Sequence, residues 1–301
     1  MNMPLPGLPG PIVNALTVDV EDYFQVQALS ERFPRPAWDE VPRRVEANVD
    51  RLLEMFASAS VSATFFTLGW LAERHPAMVR RIASAGHELA SHGYDHQRAD
   101  RLSPAQLRED VRRSKRLIED IGGCAVAGYR APTFSIGPGN QWSYDILESE
   151  GYRYSSSLYP IRHDLYGAPD APRFPFRPGR GDLWEMPLAT RRLFGRNYPC
   201  AGGGYFRLLP YLLSRSNLRS VNLGERQPCI FYCHPWEIDA GQPRQHGLKL
   251  RSRIRHYTNI AAMPGRLERL LRDFAWGRLD QTFAPLAVPA AADRAALFAA
   301  G

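Results

Sequence analysis

The run VSATFFT at Val61–Thr67, then PAMVRRIASA at Pro76–Ala85, the glycine Gly86 and ELAS at Glu88–Ser91, reads as strand, helix and strand. Proline at the helix start and glycine at its stop frame the middle segment. The same alternation extends in both directions. Upstream, Ile12–Val18 reads as a first strand, and Arg43–Ala57 as a helix with Val45, Val49, Leu52, Leu53 and Phe56 on one face. Downstream, Ser103-Pro104-Ala105-Gln106 is a capping box opening a helix that runs to about Ile121, before Gly122-Gly123. Ala125–Tyr129 reads as strand four, Trp142–Glu150 as a helix stopped by Gly151, and Leu183–Pro187 and Cys229–Cys233 as later strands. Recurring β-rich runs with helices between them make parallel sheets and α/β barrels. Leu267–Phe274 reads as a last helix, and Ala284–Gly301 as an Ala/Pro-rich tail.

The 301 residues suit one large barrel domain. With 44% hydrophobic and 23% charged residues the chain can bury a sizeable core, which excludes global disorder. No stretch approaches the ~18 consecutive apolar residues of a membrane span, and Met1–Pro11 lacks the features of a signal peptide, so a soluble, cytoplasmic protein is expected. Cys124, Cys200, Cys229 and Cys233 form no CxxC pair and read as reduced thiols. The net charge of +7 comes almost wholly from scattered arginines, with Lys115 and Lys249 the only lysines, which favours a solvated basic surface over nucleic-acid binding.

In α/β barrels the reactive side chains stand just past the carboxyl ends of the strands. Asp19 to Asp22, Ser91 to His96, Tyr129 to Pro132, Glu185 and His234 to Glu237 fall there. His92 and His96 are four apart, so both imidazoles can reach one metal ion, although two surface histidines would read the same. A zinc-protease helix is a poor reading, because Gly93 stands where that motif needs its glutamate. Three carboxylates within Asp19–Asp22 repel one another unless a cation or an arginine such as Arg130 stabilises them. Trp236 reads as packing or as a stacking surface for a sugar ring. Tyr159–Arg180, rich in Pro, Gly and aromatics, is a long connection of the kind that shapes a binding groove. Gly202-Gly203-Gly204 lacks the strand context and lysine of a phosphate loop and reads as a flexible or tightly turning segment.

Jointly, these clusters resemble the polysaccharide deacetylase (NodB homology) family, carbohydrate esterase family 4, over roughly Asn14 to Asp239. VDVED at Val18–Asp22 and HPWEID at His234–Asp239 resemble most closely the branch encoded with exosortase (PEP-CTERM) exopolysaccharide loci, which also carries a C-terminal extension. The resemblance implies a distorted (β/α) barrel over residues 12–240, an extension at 241–285 packed on it and a flexible tail at 286–301. It implies hydrolysis of N-acetyl groups from amino sugars of an exopolysaccharide or its precursor, with a divalent metal, expected to be zinc. Asp19 would be the general base, held in place as a carboxylate by Arg130. Asp22, His92 and His96 would hold the metal, His234 would protonate the leaving amine with Glu185 orienting it, and a backbone N–H near Thr133 would stabilise the oxyanion. Pro132, Trp236 and Tyr159 are the expected substrate contacts. The family motif has adjacent aspartates, whereas Val20 and Glu21 separate Asp19 from Asp22 here. Asp22 is preferred to Glu21 as metal ligand because a short side chain loses less entropy. Two alternatives stay open: hydrolysis of a small non-sugar amide on the same barrel, and a glycan-binding relative without catalysis. The N-acetylated glycan or glycan precursor is the expected partner, nucleic acid is not, and homo-oligomerisation is left open.

Overall fold

The computed structural model describes residues 11–284, so the expected tail at 286–301 lies outside the described residues. The strands are β1 (Val13–Val20), β2 (Thr64–Thr67), β3 (Glu88–Ser91), β4 (Gly128–Tyr129), β5 (Tyr154–Ser155), β6 (Trp184–Glu185), β7 (Thr190–Leu193), β8 (Arg196–Pro199), β9 (Ile230–Cys233) and β10 (Ala275–Gly277). The helices are α1 (Val45–Ser58), α2 (Gly69–Arg74), α3 (Pro76–Ser84), α4 (Pro104–Gly122), α5 (Trp142–Ser149), α6 (Gly203–Leu208), α7 (Tyr211–Arg219), α8 (Leu250–Tyr257), α9 (Met263–Asp273) and α10 (Leu279–Thr282).

Strands β1 to β6 lie side by side and all parallel, and β9 pairs with β1 at Ala15–Val18. The sheet curls into a half-barrel with its helices outside, the (β/α) barrel expected from the alternation. β2, β3 and β9 are buried at every position, as strands covered on both faces must be. Between β6 and β9 the wall is completed by irregular chain: the Tyr232 N–H donates to the Ala201 carbonyl at 2.7 Å, and the Ala189 N–H to that of Ile230 at 3.3 Å. Parallel pairing sets the carboxyl ends of β1, β3, β4 and β9 on one rim.

Helix α4 begins as its sequence requires, with Ser103 and Gln106 exchanging side-chain and backbone bonds, and stops at Gly123 in a left-handed conformation. Two elements differ from expectation. The hairpin β7–β8 turns on Phe194 and Gly195, both at positive φ, and its arginine-rich strands carry no apolar signal. The expected last helix ends at Asp273, where Phe274 turns extended and leads into β10, which pairs with Val13–Ala15 of β1. The extension therefore contributes a strand to the main sheet, anchored by Trp276, whose indole N–H donates to the Leu270 carbonyl. Among the described residues no helix is long and apolar enough to cross a membrane.

Candidate active site

Side chains of a strand alternate between its faces, so Thr17, Asp19 and Glu21 of the β1 segment project to one side. There Arg130, past the end of β4, meets them. Its Nη1 donates to Asp19 Oδ1 at 2.5 Å and to Thr17 Oγ1 at 2.8 Å, while Nε and Nη2 donate to the Ser156 carbonyl and hydroxyl. Arg130 is fully buried, with its guanidinium 4.0 Å from the Phe66 ring centre. Asp19 is thus held in one orientation by a planar, permanently charged fork.

Glu21 lies one alternation further along. Its Oε1 is 3.1 Å from His92 Nε2, 3.0 Å from His96 Nε2 and 4.0 Å from His234 Nε2. His92 Nδ1 faces the Arg130 carbonyl at 2.8 Å; a carbonyl only accepts, so Nδ1 donates to it and Nε2 is the ring nitrogen turned toward Glu21. The return from His92 to His96 is a turn rather than a helix, made with Gly93 and His96 itself at positive φ. A side chain at Gly93 would meet the Asp110 carboxylate at 2.8 Å. Burial alone would raise the Glu21 carboxyl, yet the surrounding imidazoles bring its pKa well below the usual range. One carboxylate oxygen and two imidazole nitrogens converge here, all within 4.8 Å of each other, a donor set and spacing that one divalent cation can take. The residues present fit a divalent metal.

The expectation that Asp22 supplies the metal carboxylate is corrected by this geometry. Asp22 faces away from the cluster and accepts the backbone N–H groups of Tyr23, Arg44 and Val45, the last two opening α1. It acts as a helix cap donated from another segment. Asp22→Asn should lower stability by about 1–3 kcal/mol, since an amide offers one accepting oxygen instead of two. Metal content should be unchanged. Thermal unfolding with metal analysis checks this, and loss of metal at unchanged stability would return Asp22 to the cluster.

His234 follows β9. Its backbone N–H and ring Nδ1 both reach Glu237 Oε2, at 3.0 and 3.2 Å. Burial would depress the imidazole, but Glu237, Glu21 and Asp19 raise its pKa to about 9. Glu237 is fully buried; burial favours its neutral form, and Arg207 and His234 outweigh that and bring it down to about 2. Arg207 donates Nε to Glu237 Oε1 at 2.6 Å. Breaking such a buried pair from one side costs about 3–5 kcal/mol. Trp236 stacks between His234 and His256, with ring centres 5.2 and 4.4 Å away. Asp239, the last residue of the HPWEID string, grips the Arg44 side chain beside α1. Each chemically distinctive residue of that string thus has its own contact.

Glu185, expected to orient His234, does not reach it. Buried at the base of the site, it accepts the N–H groups of Ser157 and Leu158, next to the Ser156 that grips Arg130. Tyr159 is fully buried and is no substrate contact: its hydroxyl accepts the Ala201 N–H, and its ring lies parallel to Tyr166, which occupies the exposed side. Pro132 is buried at the start of a short turn whose next residue, Thr133, reaches the cavity with φ 57°.

Asp19, Glu21, His92, His96, Thr133, His234 and Trp236 all line one cavity of about 370 Å3. Its outer walls come from the 159–180 connection, through His163, Leu165 and Tyr166, and from Tyr205, Leu208 and Arg255. Glu237 and Arg207 also line it: Glu237 stood among the strand-end residues without an assigned role, although its capping-box spacing from His234 signals the contact, and nothing in the sequence pointed to Arg207. The arrangement sets an arginine-held carboxylate, a Glu/His/His cluster able to hold a metal and a proton-bearing imidazole around one space.

The polysaccharide deacetylase family model matches residues 37–155, and a second model, a domain of unknown function (DUF3473), matches 156–284. Asp19 and Glu21 precede the first match. Relatives include a Helicobacter pylori peptidoglycan deacetylase, 31% identical over 113 residues that make up 38% of each chain, and a Bradyrhizobium chitooligosaccharide deacetylase, 30% identical over 32% of this chain and 42% of that one. The matches thus span about two fifths of the relatives' lengths. Among solved structures, a provisionally assigned polysaccharide deacetylase from Mycobacterium smegmatis aligns with TM-score 0.59 at 21% identity over 91% of both chains. An allantoinase (Puue) aligns with TM-score 0.59 at 19% identity over 94% of this chain and 93% of that one. At these identities the two structures speak for the fold alone.

Proposed function

We propose, for a chain that carries a polysaccharide deacetylase (NodB/CE4) domain, that it hydrolyses N-acetyl groups of amino sugars in an exopolysaccharide or its precursor, releasing acetate. The observation carrying this reading is the convergence of Asp19, the Glu21/His92/His96 cluster and His234 on one cavity. Glu21, His92 and His96 would hold a divalent cation, proposed to be zinc, which supplies Lewis-acid polarisation of the acetyl carbonyl and makes water a better nucleophile. Asp19, oriented by Arg130, takes a proton from the attacking water as its oxygen adds to the carbonyl carbon. Thr133 lines the cavity, and its backbone N–H is the proposed donor to the developing oxyanion. When the carbon–nitrogen bond breaks, His234 gives its proton to the nitrogen, so that the amine leaves neutral. The aromatic side chains Tyr166 and Trp236 give the cavity apolar edges, their faces being taken up by stacking on His163, His234 and His256.

The reading is tested by metal analysis of purified protein together with acetate release from N-acetylated glycans and small amides. Acetate from glycans supports it; activity confined to small amides, or none despite full metal content, overturns it.

His234→Ala separates the proton donor from the rest of the machinery. An amine leaves poorly without a proton, whereas a phenolate from an activated acetyl ester leaves readily. The variant should lose about 10²- to 10⁴-fold in amide hydrolysis and far less with the ester, with metal content unchanged. Equal losses on both substrates would move His234 from acid to oxyanion or structural support.

A further inference from the structure

The segment that follows the barrel strands is wired to His234 through one side chain. Arg207, on α6, is 1% exposed and uses its guanidinium on both sides. Nε donates to Glu237, while Nη1 donates to the carbonyls of His256 and Thr258 at 3.0 and 2.8 Å, and Nη2 to that of Arg255 at 2.7 Å. Those carbonyls lie at the carboxyl end of α8, where helix carbonyls lack partners within the helix and the dipole favours a cation. Glu237 in turn accepts the Nδ1–H of His234. A second tie runs beside the first. The His256 ring is fixed by Gln242 at 2.6 Å and stacks on Trp236, which stacks on His234.

Residues 202–204 explain how Arg207 arrives there. Gly202 has φ 119°, and a Cβ on it would stand 2.0 Å from the Tyr232 carbonyl. A Cβ on Gly203 would strike the Tyr232 ring. Only glycines let the chain pass this close to β9 and start α6 beneath Glu237.

We propose that the C-terminal extension is part of the active site: its α8 carbonyls fix Arg207, Arg207 fixes Glu237, and Glu237 holds the His234 ring in the orientation that presents Nε2 to the leaving nitrogen. Glu237 and Arg207 are positioning residues, and the inference rests on the deacetylase reading above. The extension then has a chemical reason to accompany this barrel, besides the strand it adds.

The test uses the full-length, metal-loaded chain and the variants Glu237→Gln and Arg207→Lys. In Glu237→Gln, kcat for acetate release from an N-acetylated chitooligosaccharide should fall about 10- to 100-fold with KM within about 2-fold, while an activated acetyl ester loses less than about 3-fold. Arg207→Lys keeps the charge and part of the bonding, so it should fall between wild type and Glu237→Gln on the amide. Metal content should match wild type in both. Equal losses on amide and ester, or full amide activity in Glu237→Gln, overturn the proposal. A second readout does not depend on turnover. In ¹H–¹⁵N spectra of the imidazoles, the His234 Nδ1–H signal, assigned by its absence in His234→Ala, should be hydrogen-bonded in wild type and shift in both variants. If no N-acetylated substrate is turned over, the deacetylase reading fails on its own, and an unshifted His234 signal in both variants then overturns the positioning chain separately.

Discussion

Glu21→Gln is expected to abolish divalent-metal binding and to lower acetate release by about 10³-fold or more. The cluster offers one carboxylate to two imidazoles, and the amide removes its only negative charge. Losing about 4 kcal/mol of transition-state stabilisation corresponds to that factor. His92→Ala should behave alike, because the Arg130 carbonyl presets which ring nitrogen faces the cluster. Metal analysis after dialysis, with acetate release on the same samples, checks both variants. Full metal occupancy in either would remove the cluster as the metal site. The contrast with Asp22→Asn is diagnostic, since neighbouring carboxylates are predicted to give opposite phenotypes, one losing metal and the other stability.

Asp19→Asn should keep the metal and lose about 10²- to 10⁴-fold in kcat, the range for removal of a general base. It carries a second consequence. Arg130 is fully buried and Asp19 is its carboxylate partner at 2.5 Å, so the variant leaves a buried cation with neutral acceptors. Removing one side of such a pair costs about 3–5 kcal/mol, and the Ser156 and Thr17 bonds keep the loss toward the lower end. Kinetics and denaturant unfolding should therefore both change while metal content does not. Loss of metal in Asp19→Asn with retention in Glu21→Gln would exchange the two roles.

The candidate site is assembled from residues far apart in sequence, and of its six central side chains only His234 falls in the second family match, over 156–284. Asp19 and Glu21 come from β1, His92 and His96 from the β3 turn, Arg130 from beyond β4 and His234 from beyond β9. The α8 carbonyls that Arg207 binds come from between β9 and β10.

The alternation of strands and helices, and with it the parallel barrel and the rim where Asp19, His92, Arg130 and His234 gather, was legible in the linear chain, because periodicity, caps and glycine stops are local properties. The His92/His96 pair was legible for the same reason, as a spacing. The metal carboxylate was not. A first strand ending at Val18 leaves Glu21 and Asp22 equivalent in a loop, whereas the observed β1 runs to Val20, and two further residues of strict alternation send Glu21 inward with Asp19 and leave Asp22 to cap α1. The partner of His234 was decided by tertiary structure as well. Glu185 and Glu237 both follow or end strands, and only the fold shows that one supports the Ser156 turn while the other lies under the imidazole. Arg207 is thirty positions from Glu237 and about fifty from the carbonyls it binds, a bond set that no local pattern encodes. What the sequence determines by itself are the features that repeat along the backbone; which carboxylate meets which imidazole depends on strand ends and on long-range burial, and those exist only once the sheet has closed.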